Sequence, residues 1–179
     1  MEVGEANDGE VIVHMDSMGD KLLVWKTNTF FVFDTSSDLE QLESTHRNMG
    51  TFSSSSVTRA ESGVMWVNKN GCYFLDQQAD SKPINLIEGK IDVQTWSSFV
   101  DNGTNIGYIP RNKQLVVSRT ALPGFTGSIG DVYIYDGKTN SWNRGWDRIS
   151  DNTKSNLVNN YNNELLYLTP SIDGDESFN

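Results

Sequence analysis

The chain has 179 residues, 36% of them hydrophobic and 11% aromatic, with 14 Lys and Arg against 24 Asp and Glu, for a formal charge of −10. That length holds one domain with a sizeable core and is too short for two ordinary ones. The acidity argues against a nucleic-acid grip, which draws its free energy from clustered cations; the single cysteine, Cys72, rules out an internal disulfide and leaves no thiolate cluster for a metal. No apolar run approaches the roughly 18 residues of a membrane span, and Met1 to Glu10 is acidic where a signal peptide would be basic and then apolar. Neither a membrane span nor an export signal is expected.

In chain order, residues 1–10 read as an acidic N-terminal segment, and Val11 to His14 as a first strand. Lys21 to Lys26 (KLLVWK) and Thr29 to Asp34 (TFFVFD) are apolar runs separated only by Thr27-Asn28, which leaves room for a tight hairpin turn. Leu39 to Glu43 follows as a fourth strand. Ser53 to Arg59 then precedes a second hairpin, Gly63 to Asn68 (GVMWVN) and Gly71 to Asp76 (GCYFLD), with Asn70-Gly71 supplying the positive-φ residues of a primed turn. Pro83 to Ile87 closes that set.

Ile91 to Val100 is the one candidate helix, because Ile91, Thr95, Trp96 and Phe99 fall near one helical face. It is expected to pad an edge between the second and third sets of strands. Asn105 to Ile109, Gln114 to Arg119, Asp131 to Asp136 and Ser141 to Arg144 make the third set, whose hairpin connection has swollen to Thr120 to Gly130. A last pair, Lys154 to Val158 and Glu164 to Thr169, turns through Asn159 to Asn163, and residues 170–179 read as an acidic polar tail.

Asp34, Asp76 and Asp136 end the second strand of each hairpin, at spacings of 42 and 60 residues. A period near 40 built from short strands is the signature of propeller blades. The fold class expected is all-β and β-propeller-like: about three and a half four-stranded antiparallel blades, at about 11–50, 51–90 and 101–150 with a partial one at 154–169. Because propellers close with roughly four to eight blades, the missing strands are expected from residues beyond Asn179, the favoured reading, which makes the chain part of a larger propeller, or from another polypeptide; the third alternative is that the sheets pack as an open array.

Little in the sequence points to catalysis. His14 and His46 are the only histidines, neither has a paired-ligand spacing, and there is no Gly-x-Ser-x-Gly elbow or Walker loop. His14 is placed in a strand and His46 in a polar loop. No enzyme, cofactor or metal is expected. Three carboxylates at one rim invite calcium binding or acid–base work, but an Asp that ends a strand also bonds the backbone amides just beyond it, and a repeat would use that turn in every unit. Asp173-Gly174-Asp175-Glu176 reads as a solvated tail. Asn102-Gly103-Thr104 fits a glycosylation acceptor, taken as accidental without an export signal. Trp25 and Trp66 are assigned equivalent places in the two hairpins, as core between blades. Trp142 and Trp146, flanking Arg144 in SWNRGWDR, are less regular and form the candidate contact for a glycan or a partner.

Tyr135 to Trp142 (YDGKTNSW) resembles the Kelch signature, in which an aspartate opens a turn and a tryptophan some six residues later packs over it. It is less similar to the Asp-box of sialidases, since Ile134 stands where that motif has serine, and Arg47, Arg59, Arg111, Arg119, Arg144 and Arg148 show no arginine-triad pattern. Both likenesses imply architecture. From Gly19 to Trp142, the segments GDKLLVWKTNTFFVFD, GVMWVNKNGCYFLD, INLIEGKI, IGYIPRNKQLVVSR and DVYIYDGKTNSW resemble the propeller region of tail proteins from tailed bacteriophages. Gly107-Tyr108 followed by Gln114-Leu115-Val116-Val117 is the most specific part.

That resemblance implies a virion component: a homo-oligomeric ring or nozzle at the end of a short tail, below the portal and adaptor and beside tail fibres or spikes, retaining and passing DNA. An acidic wall suits passage, since it offers phosphates no cations. Cyclic symmetry would make each contact head-to-tail, with Thr120 to Gly130 and Glu43 to Thr51 as contact elements. The alternative is a Kelch-like propeller module binding a protein or a glycan.

Overall fold

The computed structural model describes residues 9–78, 81–119, 130–149, 157–166, 168–169 and 177–178. They form an all-β chain with antiparallel sheets throughout. The first sheet is a meander of β1 (Ile12–Met18), β2 (Lys21–Lys26), β3 (Thr29–Asp34) and β4 (Gln41–Arg47). The second is β5 (Val57–Ala60), β6 (Gly63–Asn68), β7 (Gly71–Asp76) and β8 (Ile84–Asn85), and the third β9 (Asn105–Ile109), β10 (Gln114–Ser118), β11 (Gly130–Asp136) and β12 (Ser141–Ile149). Two-stranded pairs follow: β13 (Val158–Asn159) with β14 (Leu165–Leu166), and β15 (Leu168–Thr169) with β16 (Ser177–Phe178). The strand at Ser177–Phe178 falls within the acidic polar tail read at residues 170–179.

The hairpins fall where the alternation puts them, and their registers match. Lys21 faces Asp34, Gly63 faces Asp76 and Gln114 faces Asp136. One hydrogen bond closes each of them in the same way: the amide just after the aspartate donates to the carbonyl just before β2, β6 or β10, as Thr35 to Asp20 (2.8 Å), Gln77 to Ser62 (2.7 Å) and Gly137 to Lys113 (2.8 Å). The repeat is therefore one of backbone geometry as well as of pattern.

Side chains alternate across a strand, so each hairpin presents two apolar faces. Leu23, Trp25, Phe30 and Val32 of the first sheet meet Val64, Trp66, Tyr73 and Leu75 of the second in one buried cluster. Met65, Val67 and Cys72 on the second sheet's other face meet Ile106, Tyr108, Leu115, Val117, Tyr133 and Tyr135 of the third. Beyond the third, Gly107 lies against Leu157 and Leu165: a Cβ there would sit 2.8 Å and 2.6 Å from them. The sheets thus stack face to face in chain order. Their first strands are neighbours as well, β5 beside β9 and β9 beside β13. Arg59 of β5 holds Asp16 of β1 with two side-chain hydrogen bonds, one of them 2.9 Å from Nε to Oδ2.

The registers move Trp25 and Trp66 out of equivalence. Trp25 pairs with Phe30 one place before the turn, whereas Trp66 pairs with Tyr73 two places before it. One place is one face, so the two rings come from opposite sheets into the same seam, edge to face at 5.4 Å. Their role as core between sheets stands.

The helix α1 (Val93–Phe99) begins where the Asp92 carboxylate accepts the Thr95 amide at 2.9 Å. It buries Trp96 and Phe99 in the seam between the second and third sheets, and the Trp96 indole donates to the Asn68 carbonyl at 2.9 Å. The Lys69-Asn70 turn corrects an expectation, because neither Asn70 nor Gly71 has a positive φ. The Asn68 side-chain carbonyl instead accepts the amides of Asn70 (2.8 Å) and Gly71 (3.1 Å). At Gly71 a Cβ would lie 2.7 Å from the Asn85 side chain, which would have to shift to admit it.

Candidate functional site

Trp142 and Arg144 lie on β12, the last strand of the third sheet, opposite Tyr135 and Tyr133. Trp142 is half-buried. Its indole donates to the Leu86 carbonyl of the second sheet at 2.9 Å, and its ring lies 5.4 Å from Trp96 and 5.2 Å from Tyr135. The ring therefore bridges a seam and presents only part of its surface to a ligand. Arg144 is exposed, with its guanidinium 5.5 Å from the Tyr133 ring centroid. Trp146 is on the same strand, and its side chain lies outside the described residues. The structure thus brings Trp142 and Arg144 to one tyrosine-backed face.

The strand-end aspartates form Asx turns in all three sheets. The Ser36 amide donates to Asp34 at 2.8 Å, Gln78 to Asp76 at 2.8 Å, and Lys138 and Thr139 to Asp136 at 2.8 and 3.1 Å. Bonds from Ser36 hold the Asp34 carboxyl below its usual range, and the amides of Thr139 and Lys138 do the same for Asp136. In each, the Oδ1 oxygen serves the turn. No group of three or more His, Cys, Asp or Glu among the described residues is placed to hold a metal.

His46 is on β4 and not in a loop, which also makes Glu43 to Arg47 part of a strand. Its ring stacks on Phe30 at 5.8 Å, and its Nε2 meets the Ser81 carbonyl at 2.8 Å. His14 sits 5.4 Å from Trp25, and burial lowers its pKa, with Asp16 acting against that shift. The expected contact loop at 120–129 lies outside the described residues.

Two features carried no signal in the sequence. Ser81, buried with φ at 52°, receives Lys21 Nζ at 2.5 Å and donates to Glu43 Oε1 at 2.5 Å. Lys21 and Glu43 are themselves paired at 3.0 Å. The cluster ties the loop after β7 to the first sheet across their seam; the Ser81 hydroxyl holds Glu43 below its usual range, so both charges are satisfied.

The second feature is a pair of clefts at one rim. A polar cleft of about 420 Å3 lies at the β1–β2 turn, lined by Asp20, Lys21, Asp34, Glu43 and Gln77. A second, of about 250 Å3, lies at the β5–β6 turn between the second and third sheets; Met65, Phe74, Leu86 and Tyr108 line it. Gln77 and Gly137, which follow strand-end aspartates, hold corresponding places in the two.

No family model matches the chain, and no curated protein matches it.

Proposed function

We propose that this chain is a structural component of a bacteriophage tail, at the nozzle or tail-tube end, and that its sheets are blades of a β-propeller continued by further polypeptide. The observation that carries the blade reading is the run of three four-stranded meanders, stacked face to face in chain order, each hairpin closed by the same backbone bond. Neighbouring first strands are what a fan of sheets around an axis requires. The tail assignment rests on the resemblance between Gly19 and Trp142, and the formal charge of −10 suits a wall past which DNA slides.

The proposed partners are further copies in a ring, the portal–adaptor side, and a fibre or spike. Mass spectrometry of purified particles tests the assignment. A fixed copy number per virion is expected, and absence from the particle would refute it.

A second reading, a Kelch-like module binding a protein or glycan, is favoured by the segment from Asp136 to Trp142. There an Asx turn leads into a tryptophan bonded to the neighbouring sheet. Binding to a glycan array, lost in Arg144→Ala, would support it against the first.

A further inference from the structure

We infer that Asn102-Gly103, in the turn between α1 and β9, is a self-modifying site. The Gly103 amide nitrogen attacks the Asn102 side chain, with the Asp101 carboxylate as its base, and the asparagine becomes aspartate or isoaspartate. The chain holds two Asn-Gly pairs, Asn70-Gly71 and Asn102-Gly103. Glycine has no Cβ to crowd a ring closing at its own nitrogen, so both pairs are open to this chemistry by sequence. The structure separates them.

The step needs no co-reactant but water. A bond forms from Gly103 N to Asn102 Cγ, the bond from Cγ to Nδ2 breaks, and the proton lost by Gly103 leaves with that nitrogen as ammonia. Water then opens the succinimide at either carbonyl. One opening gives aspartate, and the other gives isoaspartate, with the main chain rerouted through the side chain.

At Asn102 the groups are set for the reaction. Asp101 Oδ1 accepts the Gly103 amide at 2.9 Å, which puts a carboxylate on the proton that has to leave, the position of a general base. The N–H bond lies in the peptide plane, whereas the nitrogen attacks through the electrons perpendicular to it, so the attack proceeds with that hydrogen bond in place. Asp101 is itself fixed: its amide donates to Thr104 Oγ1 at 2.9 Å, and that hydroxyl donates to Asp101 Oδ1 at 3.2 Å. The Asn102 side chain is exposed and makes no hydrogen bond among the described residues that would hold it away from Gly103.

At Asn70 the same groups are set against it. The Gly71 amide donates to the Asn68 side-chain carbonyl at 3.1 Å, an amide oxygen far less basic than a carboxylate. Asn70 Nδ2 is tied to the Asn48 carbonyl at 3.0 Å, a bond that must break before Cγ can turn onto Gly71. Gly71 is also paired with Asn68 in the β6–β7 ladder.

Modification at Asn102 acts on a corner that joins two sheets. Thr104 is fully buried, and its carbonyl accepts the Ser56 hydroxyl, just before β5, at 2.7 Å. Isoaspartate adds a methylene to the main chain inside this turn and so pulls apart the bonds between Asp101 and Thr104, which loosens the entry to β9. The site is independent of the tail assignment.

The test is incubation of the whole chain in mildly alkaline buffer, with conversion at each pair followed by peptide mapping and mass spectrometry. In the folded chain Asn102 should convert at least about tenfold faster than Asn70, and in urea the two rates should draw together. Asp101→Asn keeps an oxygen for Gly103 and Thr104 but no carboxylate. It should slow conversion of Asn102 at least about tenfold in the folded chain and leave the rate in urea unchanged, with far-UV circular dichroism confirming the fold. The comparison of the two pairs in the wild-type chain stands whatever that variant does to folding. Equal rates in the folded chain, no conversion at Asn102, a difference that persists in urea, or undiminished conversion in folded Asp101→Asn would each overturn the site.

Discussion

Trp25 and Trp66 offer a matched pair of perturbations. Both are fully buried in the same seam, 5.4 Å apart, and each also packs on Phe30. They differ at one atom. Trp66 Nε1 donates to the Met49 carbonyl at 2.7 Å, whereas Trp25 Nε1 is buried with no partner among the described residues. Replacing either by Phe trims the same part of a ring, so that cost is common to the two. Trp66→Phe also loses a hydrogen bond and leaves a carbonyl unpaired, a further cost of about 1–3 kcal/mol. Trp25→Phe removes an unsatisfied donor whose burial costs about 1–3 kcal/mol, which offsets its loss of packing. Trp66→Phe is therefore expected to be more destabilising than Trp25→Phe by about 2 kcal/mol or more. Urea unfolding, with midpoints compared at a common m-value, measures the difference. Equal losses within about 0.5 kcal/mol, or a larger loss for Trp25→Phe, would refute the account of this seam.

Other consequences are simpler to measure. Gly63→Ala places a Cβ 2.0 Å from the Leu75 carbonyl oxygen; the backbone shift this forces at the start of β6 should cost about 1–3 kcal/mol in the same unfolding assay. The Asp136 carboxyl titrates below its usual value of 3.8 in the folded chain. Its contribution is thus fully present above about pH 4 and is lost as pH falls through the lowered value. Asp136→Asn keeps an oxygen acceptor without titrating, so its stability should fall less steeply between about pH 4 and pH 2, measured by thermal unfolding. Cys72 is fully buried, and desolvation pushes its thiol pKa up. It should react with iodoacetamide only on unfolding, and its labelling midpoint should match that of tryptophan fluorescence.

The hairpins were legible because both signals of a buried strand coincide in them. Apolar residues fill both faces of Lys21 to Asp34 and Gly63 to Asp76, and only two residues intervene in each. Flanking strands give a weaker signal, since only one of their edges is paired and much of their surface is wet. Thus β4 starts at Gln41 and includes His46, β8 shrinks to Ile84–Asn85, and β12 runs on to Ile149. The Trp25–Trp66 offset was hidden because a one-place shift leaves the strands' composition unchanged while reversing which face each ring occupies. The Ser81 clamp joins residues up to 60 apart in sequence, and only the stacking of the sheets brings them together. In the same way the cleft at the β5–β6 turn has walls on two sheets.

The site residues divide along the same line. Trp142 reads in the sequence as an irregular, half-free aromatic, whereas the structure gives its indole a fixed acceptor 56 residues away at Leu86. The Asp136 turn was legible because an Asx turn is local, completed within three residues.

Electron cryomicroscopy of the tail end of purified particles tests the central claim most directly. The account predicts a ring of copies around the tail axis, each with its four-stranded sheets fanned so that β1, β5 and β9 lie closest to a common centre within the copy. A tail without this chain, or sheets arranged with their first strands no closer together than β4, β8 and β12, would contradict it.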